Sequence, residues 1–389
     1  MKAIINLDHA AAAPINKEAK KAITKWLDLP VYNIDSSYQP AVEQRRYLAD
    51  LKSKTAKLLG VKLPNILITS GSSDASSKLL DLISQAEPNK EVILTEIEHS
   101  TLLSRVKDFP NHKILKLSDT TGSIKLKDLA VAINDSTILI SIQYVNNETG
   151  QVLPIKEAAK LVAEVNRSRK QRGIELPLFL HTDASQAAVT EDLNIPRLGV
   201  DALSLNGSKL GSLPSCGILY LSADLLRWLY SKGIEYPHQK ENPLSIISLY
   251  YSLQHSIQKK ATENKRLTNL SKAFFQELQK QIPEASLNPK NLKIGKNHAP
   301  HILNIHIPKV SGERLTILAG LSGTLISTGA ACSASKDRPS HVLQALGLSP
   351  AEIQSSIRVS FGSANGSEKE VIKAAKKLAE LCNNPSVKL

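Results

Sequence analysis

The fold class is decided by residues 178–186, which read LFLHTDASQ. A short apolar run ends here at Asp183, and small polar residues follow it. Apolar runs of this length that are bounded by polar residues are typical of buried strands. The same pattern recurs along the chain, and the predicted strands cover residues 66–69, 91–95, 138–144, 178–182, 202–205 and 217–221.

Amphipathic segments such as residues 155–167 separate several of these strands, and residues 167–177 are predicted to form a surface loop. Strands that alternate with helices predict a largely parallel sheet with helices on both faces. Ligands of such sheets bind at the carboxyl ends of the strands. Polar clusters stand at these ends, in residues 70–73, 98–99, 146–148, 183–186 and 206–209.

The second half of the chain predicts a smaller α/β lobe. Residues 243–281 are predicted to form a long helix that links two lobes, because 389 residues are too many for one simple core. Further strands are predicted at residues 302–307, 324–327 and 357–361. We expect a large domain at residues 15–255 and a small domain at residues 256–389, with residues 1–14 packing near the small domain.

The composition is that of an ordinary globular protein. Hydrophobic residues make up 42% and charged residues 22%, which argues against disordered and fibrous classes. No apolar run approaches the ~20 residues that cross a bilayer, and the first eight residues predict no signal peptide. Three cysteines without a CxxC pair argue against a disulfide scaffold or a zinc site. We therefore expect a cytoplasmic protein without a metal or a membrane partner.

The formal net charge is +13, and we attribute it to a lysine-rich solvated surface. The alternative is a negatively charged partner, either an acidic protein or tRNA. The sequence contains no RNA-binding motif, and aromatic residues make up only 4%. We therefore expect no direct binding of nucleic acid.

Two residues at predicted strand ends suit covalent and acid–base chemistry. A partly desolvated Lys209 would have a lowered pKa and supply a neutral amine for an imine. Asp183 could keep a pyridinium nitrogen protonated, so that the ring acts as an electron sink, and Gln186 could reach a ring hydroxyl. Taken singly, Lys209 would be read as a surface lysine at a strand end, and Asp183 could equally be a helix N-cap.

A phosphate site is predicted where residues 69–74 join a strand to a helix. Gly71, Ser72 and Ser73 combine small side chains with the free N–H groups of a helix start, which bind anions. The alternative is an ordinary serine cap.

Cys332 and Arg358 are further candidates. Cys332 lies in the small, polar residues 327–335 and is a plausible nucleophile, although most free cysteines are small buried fillers, as we expect for Cys216 and Cys382. Arg358 lies between apolar residues, and its guanidinium suits a planar anion such as a substrate carboxylate. The alternative for Arg358 is a buried ion pair.

Taken in order, these segments resemble the cysteine desulfurases, a family within the class V aminotransferases. The matching segments are residues 7–11, 69–71, 98–99, 145–150, 181–186, 208–209, 328–333, 339–343 and 356–358. The ordered set outweighs the structural explanations for Lys209, Asp183 and Cys332. The resemblance implies an α/β, type I pyridoxal-phosphate-dependent transferase fold, in which the large domain binds the cofactor. It also implies a homodimer with active sites near the subunit interface.

The resemblance also implies a reaction. Pyridoxal phosphate would be held as a Schiff base on Lys209, and L-cysteine would become alanine and a persulfide on Cys332. His99 would stack on the ring and assist proton transfer, and Arg358 would hold the substrate carboxylate with Asn147 nearby. The implied cofactor-binding residues are Ser72, Ser73, His99, Asn147, Asp183, Gln186, Asn206, Ser208 and Lys209. The cysteine motif is similar to that of the nitrogen-fixation and iron–sulfur-cluster branch, which passes sulfur to an acceptor protein.

Four positions depart from the family pattern. Ser208 replaces a histidine that donates to the phosphate, residues 72–74 replace Ala-Thr-Glu, and Tyr38 replaces a histidine. Residues 231–242 keep only the final Glu-Asn of a segment that normally supplies a threonine to the other subunit's phosphate. Lys240 stands where this threonine would be, and we hypothesise that its charge replaces the lost donor.

Three functions are compatible with this sequence: an active cysteine desulfurase, a catalytically weakened scaffold that binds a partner, and a selenocysteine lyase or aminotransferase on the same fold. Cys332 argues against the aminotransferase. Both iron–sulfur-cluster assembly and tRNA thiolation stay open as destinations of the sulfur.

Overall fold

The computed structural model describes residues 4–235, 241–290, 292–328 and 339–389. In these ranges, short strands alternate with helices. The strands are β1 (Ile5–Asn6), β2 (Ile66–Thr69), β3 (Glu91–Thr95), β4 (His112–Leu115), β5 (Thr137–Ser141), β6 (Phe179–Asp183), β7 (Ala202–Asn206), β8 (Gly217–Leu221), β9 (Ser286–Leu287), β10 (Ile302–His306), β11 (Thr324–Leu325) and β12 (Ser356–Ser360). The helices are α1 (Lys17–Leu27), α2 (Gln39–Leu58), α3 (Ser72–Ala86), α4 (Ser100–Arg105), α5 (Leu126–Ala132), α6 (Ile155–Gln171), α7 (Ala187–Thr190), α8 (Ile195–Leu198), α9 (Ala223–Ser231), α10 (Pro243–Gln281), α11 (Gly312–Leu321), α12 (His341–Ala345), α13 (Pro350–Gln354) and α14 (Glu368–Cys382).

The main sheet has the strand order β2-β8-β7-β6-β5-β3-β4. All neighbouring pairs from β7 to β4 are parallel, whereas β8 runs antiparallel to both β7 and β2. The predicted strands are present, but β5 ends at Ser141 rather than at residue 144. Edge strand β4 was missed because His112 and Lys113 interrupt its apolar pattern. The prediction of a mostly parallel sheet is confirmed.

Both faces of this sheet are buried, which explains the continuous apolar runs. Ile93 and Ile140 belong to the core on one face, which includes side chains of α2, α6 and the first half of α10. Val92 and Leu139 belong to the core on the opposite face, which includes side chains of α3, α4 and α9. Alternate side chains of one strand thus enter different cores, and the carboxyl ends of the strands remain open for polar residues.

Helix α10 spans the residues predicted for the long linking helix. Asn242 caps its N-terminus through a hydrogen bond from the Leu244 N–H, and Pro243 occupies the first turn, where proline is tolerated. Its first half contributes to the core of the main sheet, and its second half contributes to a separate core. No helix in the described part of the chain has both the length and the apolar character needed to cross a membrane.

The separate core surrounds a small antiparallel sheet of order β12-β10-β9. The predicted strands at 302–307, 324–327 and 357–361 correspond to β10, β11 and β12, of which β11 is shorter than predicted. Strand β1 pairs in parallel with β11, and Leu7 is buried in this core. The exact division at residues 255 and 256, which falls inside α10, stays a prediction.

The predicted surface loop at residues 167–177 is wrong in its first part, because α6 continues to Gln171. Arg169 explains the extension. It is almost fully buried, and its guanidinium donates to the backbone oxygens of Leu176, Asn134 and Thr137 at 3.0, 2.6 and 2.8 Å. These hydrogen bonds hold the last turn of α6 against the residues at the start of β5.

Candidate active site

One cavity lies at the carboxyl ends of the parallel strands, and its volume open to the centres of water molecules is about 70 Å³. Nine predicted site residues line it, although they are widely separated in sequence. They are Ser72, Ser73, His99, Asn147, Asp183, Gln186, Asn206, Lys209 and Arg358. Ala10, Gln143, Val145 and Ser185 complete the lining. The expectation that the polar clusters meet at one site therefore agrees with the structure.

Lys209 lies on a short 3₁₀ turn directly after β7. Asn206 forms this turn, because its Oδ1 accepts hydrogen bonds from the Ser208 N–H at 3.0 Å and from the Ser208 hydroxyl at 2.8 Å. The Lys209 Nζ donates to the backbone oxygen of Ala11 at 2.5 Å. The amine is thus held between the end of β7 and the N-terminal segment.

Ser208 does not line the cavity, and the one proton donor of its hydroxyl is engaged by Asn206. The sequence predicted a weaker phosphate donor at this position. In this structure the Ser208 hydroxyl supports the Lys209 turn instead.

Asp183 is the last residue of β6. Its Oδ1 accepts hydrogen bonds from the Ser185 N–H at 2.9 Å and from the Ser185 hydroxyl at 2.5 Å. These bonds form a local turn and do not cap a helix, because the N-cap of α7 is Gln186 and no side chain caps it. The N-cap alternative for Asp183 is therefore not found, and no described residue donates to its second oxygen, Oδ2.

His99 precedes α4, and its Nδ1 accepts a hydrogen bond from the Thr101 N–H at 3.3 Å. This contact places the ring proton on Nε2 in the neutral tautomer. Burial lowers the pKa of His99; the nearby Asp183 carboxylate opposes this effect, and Lys209 adds to it. The imidazole is therefore neutral at pH 7.

Arg358 lies in the middle of β12 and is only 2% exposed. Its Nη1 donates to the Asn147 backbone oxygen at 2.9 Å, and its Nη2 donates to Asp8 Oδ1 at 2.9 Å. The buried ion pair considered from the sequence is thus present, with Asp8 as the partner. Arg358 nevertheless lines the cavity, so the ion pair and a role in substrate binding are compatible.

The predicted phosphate site corresponds to the start of α3. Gly71 occupies the N-cap with φ of +144°, a conformation that favours glycine, and it offers no side chain to cap the helix. The backbone donors of the first turn and the hydroxyls of Ser72 and Ser73 are therefore placed beside the cavity. Asp74 instead accepts from the Ser70 N–H at 2.9 Å and pairs with Lys78.

Sequence reasoning did not single out two buried acids beside the site. Glu98 is fully buried, its Oε1 accepts from the Thr95 hydroxyl and the Gln143 N–H at 2.7 Å each, and burial raises its pKa to about 8. Burial also raises the pKa of Glu148, which accepts from the Ser340 hydroxyl at 2.5 Å. Both acids belong to the polar clusters identified in the sequence, but the site roles were assigned to their neighbours His99 and Asn147.

Several predicted positions do not contribute to the described cavity. Cys332 and Lys240 lie outside the described residues. Tyr38 is 48% exposed at the start of α2. Cys216 and Cys382 are buried, as expected, and burial raises the pKa of each thiol to about 11. These two cysteines are therefore protonated at neutral pH.

The donor set of the cavity fits pyridoxal phosphate, the cofactor that the resemblance implies. A helix start without a side-chain cap suits the phosphate. The open oxygen of Asp183 suits the ring nitrogen, and the amine of Lys209 suits the aldehyde. One cavity thus presents an anion site, an acid and an amine together.

Comparisons with known proteins agree with this geometry. The family model "Aminotransferase class-V" matches residues 5–372. The "Cysteine desulfurase IscS" of Dictyoglomus turgidum is 30% identical over 93% of this chain and 90% of its own length. The protein of the same name from Methanosarcina thermophila is 28% identical over 94% of this chain and 88% of its own length.

The solved structures show the same fold. A structure titled "NIFS-LIKE PROTEIN" matches with a TM-score of 0.83 and 22% identity, over 97% of this chain and 99% of that chain. The apo cysteine desulfurase from Thermococcus onnurineus NA1 matches with a TM-score of 0.79 and 17% identity, over 97% and 94%. The predicted fold class and family resemblance are confirmed, and the chain belongs to the class-V aminotransferases, among the relatives of the cysteine desulfurases.

Proposed function

We propose that this chain is a cysteine desulfurase, which converts L-cysteine to L-alanine and a persulfide on Cys332. The observation that carries the proposal is that Lys209, Asp183, His99 and Arg358 line one cavity. An amine, an acid, a neutral base and a carboxylate-binding group are the parts that this reaction requires. The names of the relatives support L-cysteine as the substrate.

Class-V aminotransferases use pyridoxal phosphate, and the cavity provides a residue for each of its groups. When bound, the cofactor supplies an aldehyde that holds an amino group and a ring that withdraws electrons from the substrate Cα. Lys209 would carry the aldehyde, Asp183 Oδ2 would bind the ring nitrogen, and Gln186, which lines the same cavity, would serve the ring hydroxyl. Ser72 and Ser73 would bind the phosphate together with the first N–H groups of α3.

Lys209 and His99 would move protons. The Lys209 amine takes the proton from the substrate Cα, holds it as an ammonium and later returns a proton to the same carbon. His99 is neutral because of burial, so it can lie against the ring without placing a second positive charge beside Lys209. Arg358, which donates to the Asn147 backbone oxygen, would orient the substrate carboxylate.

The sulfur step needs a thiolate, which we assign to Cys332. Its attack on the substrate Sγ forms an S–S bond and breaks the Cβ–S bond, and the electron pair from that bond is later captured as a C–H bond of alanine. The described cysteines, Cys216 and Cys382, are buried and protonated, so neither competes for this role. The persulfide would then pass to an acceptor protein in iron–sulfur-cluster assembly or in tRNA thiolation.

We further propose a cytoplasmic homodimer of two-lobed subunits, divided at residues 255 and 256, without direct contact to nucleic acid. The region from α1 to α2 supports the dimer, because it exposes Leu27, Val31 and Tyr38, which are 64%, 100% and 48% accessible. Ser208 already donates to Asn206, so the phosphate needs another donor. We assign this role to Lys240 of the other subunit. Sedimentation of the purified protein tests the dimer, and a monomer with full activity would refute it.

A direct experiment tests the activity. Purified protein should absorb visible light because of the cofactor on Lys209, and added L-cysteine should yield alanine and a persulfide detectable by mass spectrometry. Cys332→Ala should keep the absorbance and lose both products. Cys382→Ala, a change at a buried thiol, is the control and should keep both products. Protein that absorbs no visible light after reconstitution with cofactor would refute the proposal and favour the scaffold function that the altered phosphate contacts suggest.

A further inference from the structure

The segment at residues 339–343, which matches the family pattern, has no role in the reaction proposed above. It contains Ser340, the N-cap of α12, and His341, the first residue of that helix. Each of these two side chains forms a hydrogen bond to a residue beside the candidate active site. The segment therefore contacts the site without lining its cavity.

The Ser340 hydroxyl joins α12 to one turn of the site. It is buried, accepts from the Leu343 N–H at 3.1 Å and gives its one proton to Glu148 Oε2 at 2.5 Å. The neighbouring Asn147 backbone oxygen accepts from Arg358, the proposed ligand of the substrate carboxylate. This turn thus receives hydrogen bonds from both α12 and β12.

The His341 imidazole joins α12 to a second turn. Its Nε2 lies 2.9 Å from the backbone oxygen of Glu98. A carbonyl oxygen only accepts, so Nε2 carries the proton of this hydrogen bond. Glu98 is completely buried and precedes His99, which would lie against the cofactor ring. Burial has the largest effect in lowering the pKa of His99, and His341 is among the groups that lower it further, which agrees with their proximity.

Both turns are firmly held by their own hydrogen bonds. Asn146 Oδ1 accepts from the N–H groups of Glu148 and Thr149 at 2.9 Å each, which closes the first turn. In the second turn, Glu98 Oε1 accepts two hydrogen bonds at 2.7 Å each. A helix that is bonded to both turns is therefore fixed relative to the substrate contact and to the ring base.

The same helix follows the proposed nucleophile in the sequence. Cys332 stands eight residues before Ser340 and five residues after Ser327. At the earlier end, Ser327 exchanges two backbone hydrogen bonds with Arg358, at 3.1 and 2.6 Å. Five and eight residues span at most about 18 and 29 Å, so the two fixed ends limit the volume open to the residues between them.

We propose that Ser340 and His341 are positioning residues of the sulfur step, which hold the start of α12 against the turns at residues 98–99 and 147–148 and thereby keep Cys332 within reach of the substrate sulfur. Their hydrogen bonds take no part in making or breaking covalent bonds. They raise the effective concentration of the thiol at the substrate, and a displacement of reacting atoms by about 1 Å can lower a rate by about 100-fold. The inference rests on the proposed role of Cys332.

The rate of persulfide formation in a single turnover tests the inference. The Ser340→Ala and His341→Leu holoenzymes should form the persulfide on Cys332 about 10- to 100-fold more slowly than the wild type. KM for L-cysteine should stay near the wild-type value, because neither residue lines the cavity that would bind the substrate. Alkylation of Cys332 by iodoacetamide should keep its rate, since the reactivity of the thiol itself is unchanged. The variants Ser340→Thr and His341→Gln keep a donor and should recover most of the rate.

Ser349→Ala is the matched control. Ser349 caps the neighbouring helix α13 as Ser340 caps α12, but the hydrogen bonds described for its side chain are to Glu352 alone. Its replacement should lower the melting temperature and leave persulfide formation unchanged. An equal fall of the rate in Ser349→Ala would show that loss of any helix cap slows the reaction, and the inference would be wrong.

Hydrogen exchange tests the anchoring without turnover. In Ser340→Ala, the backbone amides of residues 96–103 and 145–151 should exchange several-fold faster than in the wild type, whereas in Ser349→Ala they should not change. Unchanged exchange in these ranges, wild-type rates of persulfide formation, or a rise in KM in place of the slower rate would each overturn the inference. Failure of the wild type to form alanine would instead refute the proposed activity, and hydrogen exchange would still decide whether α12 holds the two turns.

Discussion

Replacement of Arg358 by lysine tests the proposed substrate contact most directly, because the positive charge is kept and only the geometry changes. The guanidinium reaches the Asn147 backbone oxygen and Asp8 with separate nitrogens, each at 2.9 Å. A lysine ammonium is a compact donor on a flexible stem and lacks the planar fork of a guanidinium. Arg358→Lys should therefore lose the two-nitrogen arrangement and the fixed direction of the remaining N–H groups.

The size of the effect follows from one lost charge-assisted hydrogen bond. Such a bond contributes about 1.5–3 kcal/mol, and because about 1.4 kcal/mol corresponds to a factor of ten, kcat/KM for L-cysteine should fall roughly 10- to 150-fold. Most of the loss should be in KM, since the substrate carboxylate is bound before and during the reaction. Initial rates of alanine formation over a range of cysteine concentrations measure both constants.

Arg172→Lys is a matched control. Arg172 also holds a carboxylate with two nitrogens, at 2.7 and 2.8 Å from Asp135, but this pair is half exposed. Exposed ion pairs contribute about 0–1 kcal/mol, so Arg172→Lys should change neither kcat/KM nor the melting temperature appreciably. If Arg358→Lys lowered the melting temperature while KM stayed at the wild-type value, Arg358 would be a structural ion-pair partner and its assignment to the substrate would be wrong.

Three further predictions concern the cofactor end and the buried acid. Gly71→Ala should cost about 1–3 kcal/mol of strain at φ of +144°, visible as a lower melting temperature and weaker cofactor binding by absorbance titration; unchanged values would refute the glycine argument. Ser208→Ala removes a neutral hydrogen bond of about 0.5–1.5 kcal/mol to Asn206, so stability should fall while cofactor affinity stays nearly constant, and a large loss of affinity would show that the hydroxyl binds phosphate. For Glu98 the folded pKa of about 8 lies above the ordinary value of 4.5 for a glutamate, so the folded state holds the proton more tightly and the wild type loses stability as pH rises from about 4.5 to 8. Glu98→Gln should gain in melting temperature relative to the wild type over that window, and a pH-independent difference would contradict the assignment.

The strands of the main sheet could be predicted because burial on both faces leaves a simple signal. A strand such as β5 is apolar at residues 138–140 and polar only at its two ends. Strand β4 gives no such signal, because it lies at the edge of the sheet and His112 is exposed. Strand β2 lies at the opposite edge, but all four of its residues are buried and it was predicted correctly. Local sequence therefore reports whether a strand is buried, not where it stands in the sheet.

Most of the site residues could be predicted because they stand at or after the end of a strand, and Arg358 because it is a charged residue inside an apolar strand. Their contacts could not be predicted. Asp8 and Arg358 are 350 residues apart, and nothing local in either segment indicates the pair. Such features depend on how the two sheets meet, and the periodicity of single segments carries no information on that.

Residues 8–11 connect these distant parts and give the N-terminal motif a physical explanation. Asp8 binds Arg358, the Ala10 backbone oxygen accepts from Gln186 at 3.0 Å, and the Ala11 backbone oxygen accepts from Lys209. Two of these three contacts use backbone atoms, so they depend on the path of the segment more than on its side chains. The path is fixed by the pairing of β1 with β11 and by the Ala10 N–H, which donates to Ser360 at 2.9 Å. Because one short segment sets the positions of Arg358, Gln186 and Lys209 together, a shift of that segment would displace the substrate contact and the amine at the same time.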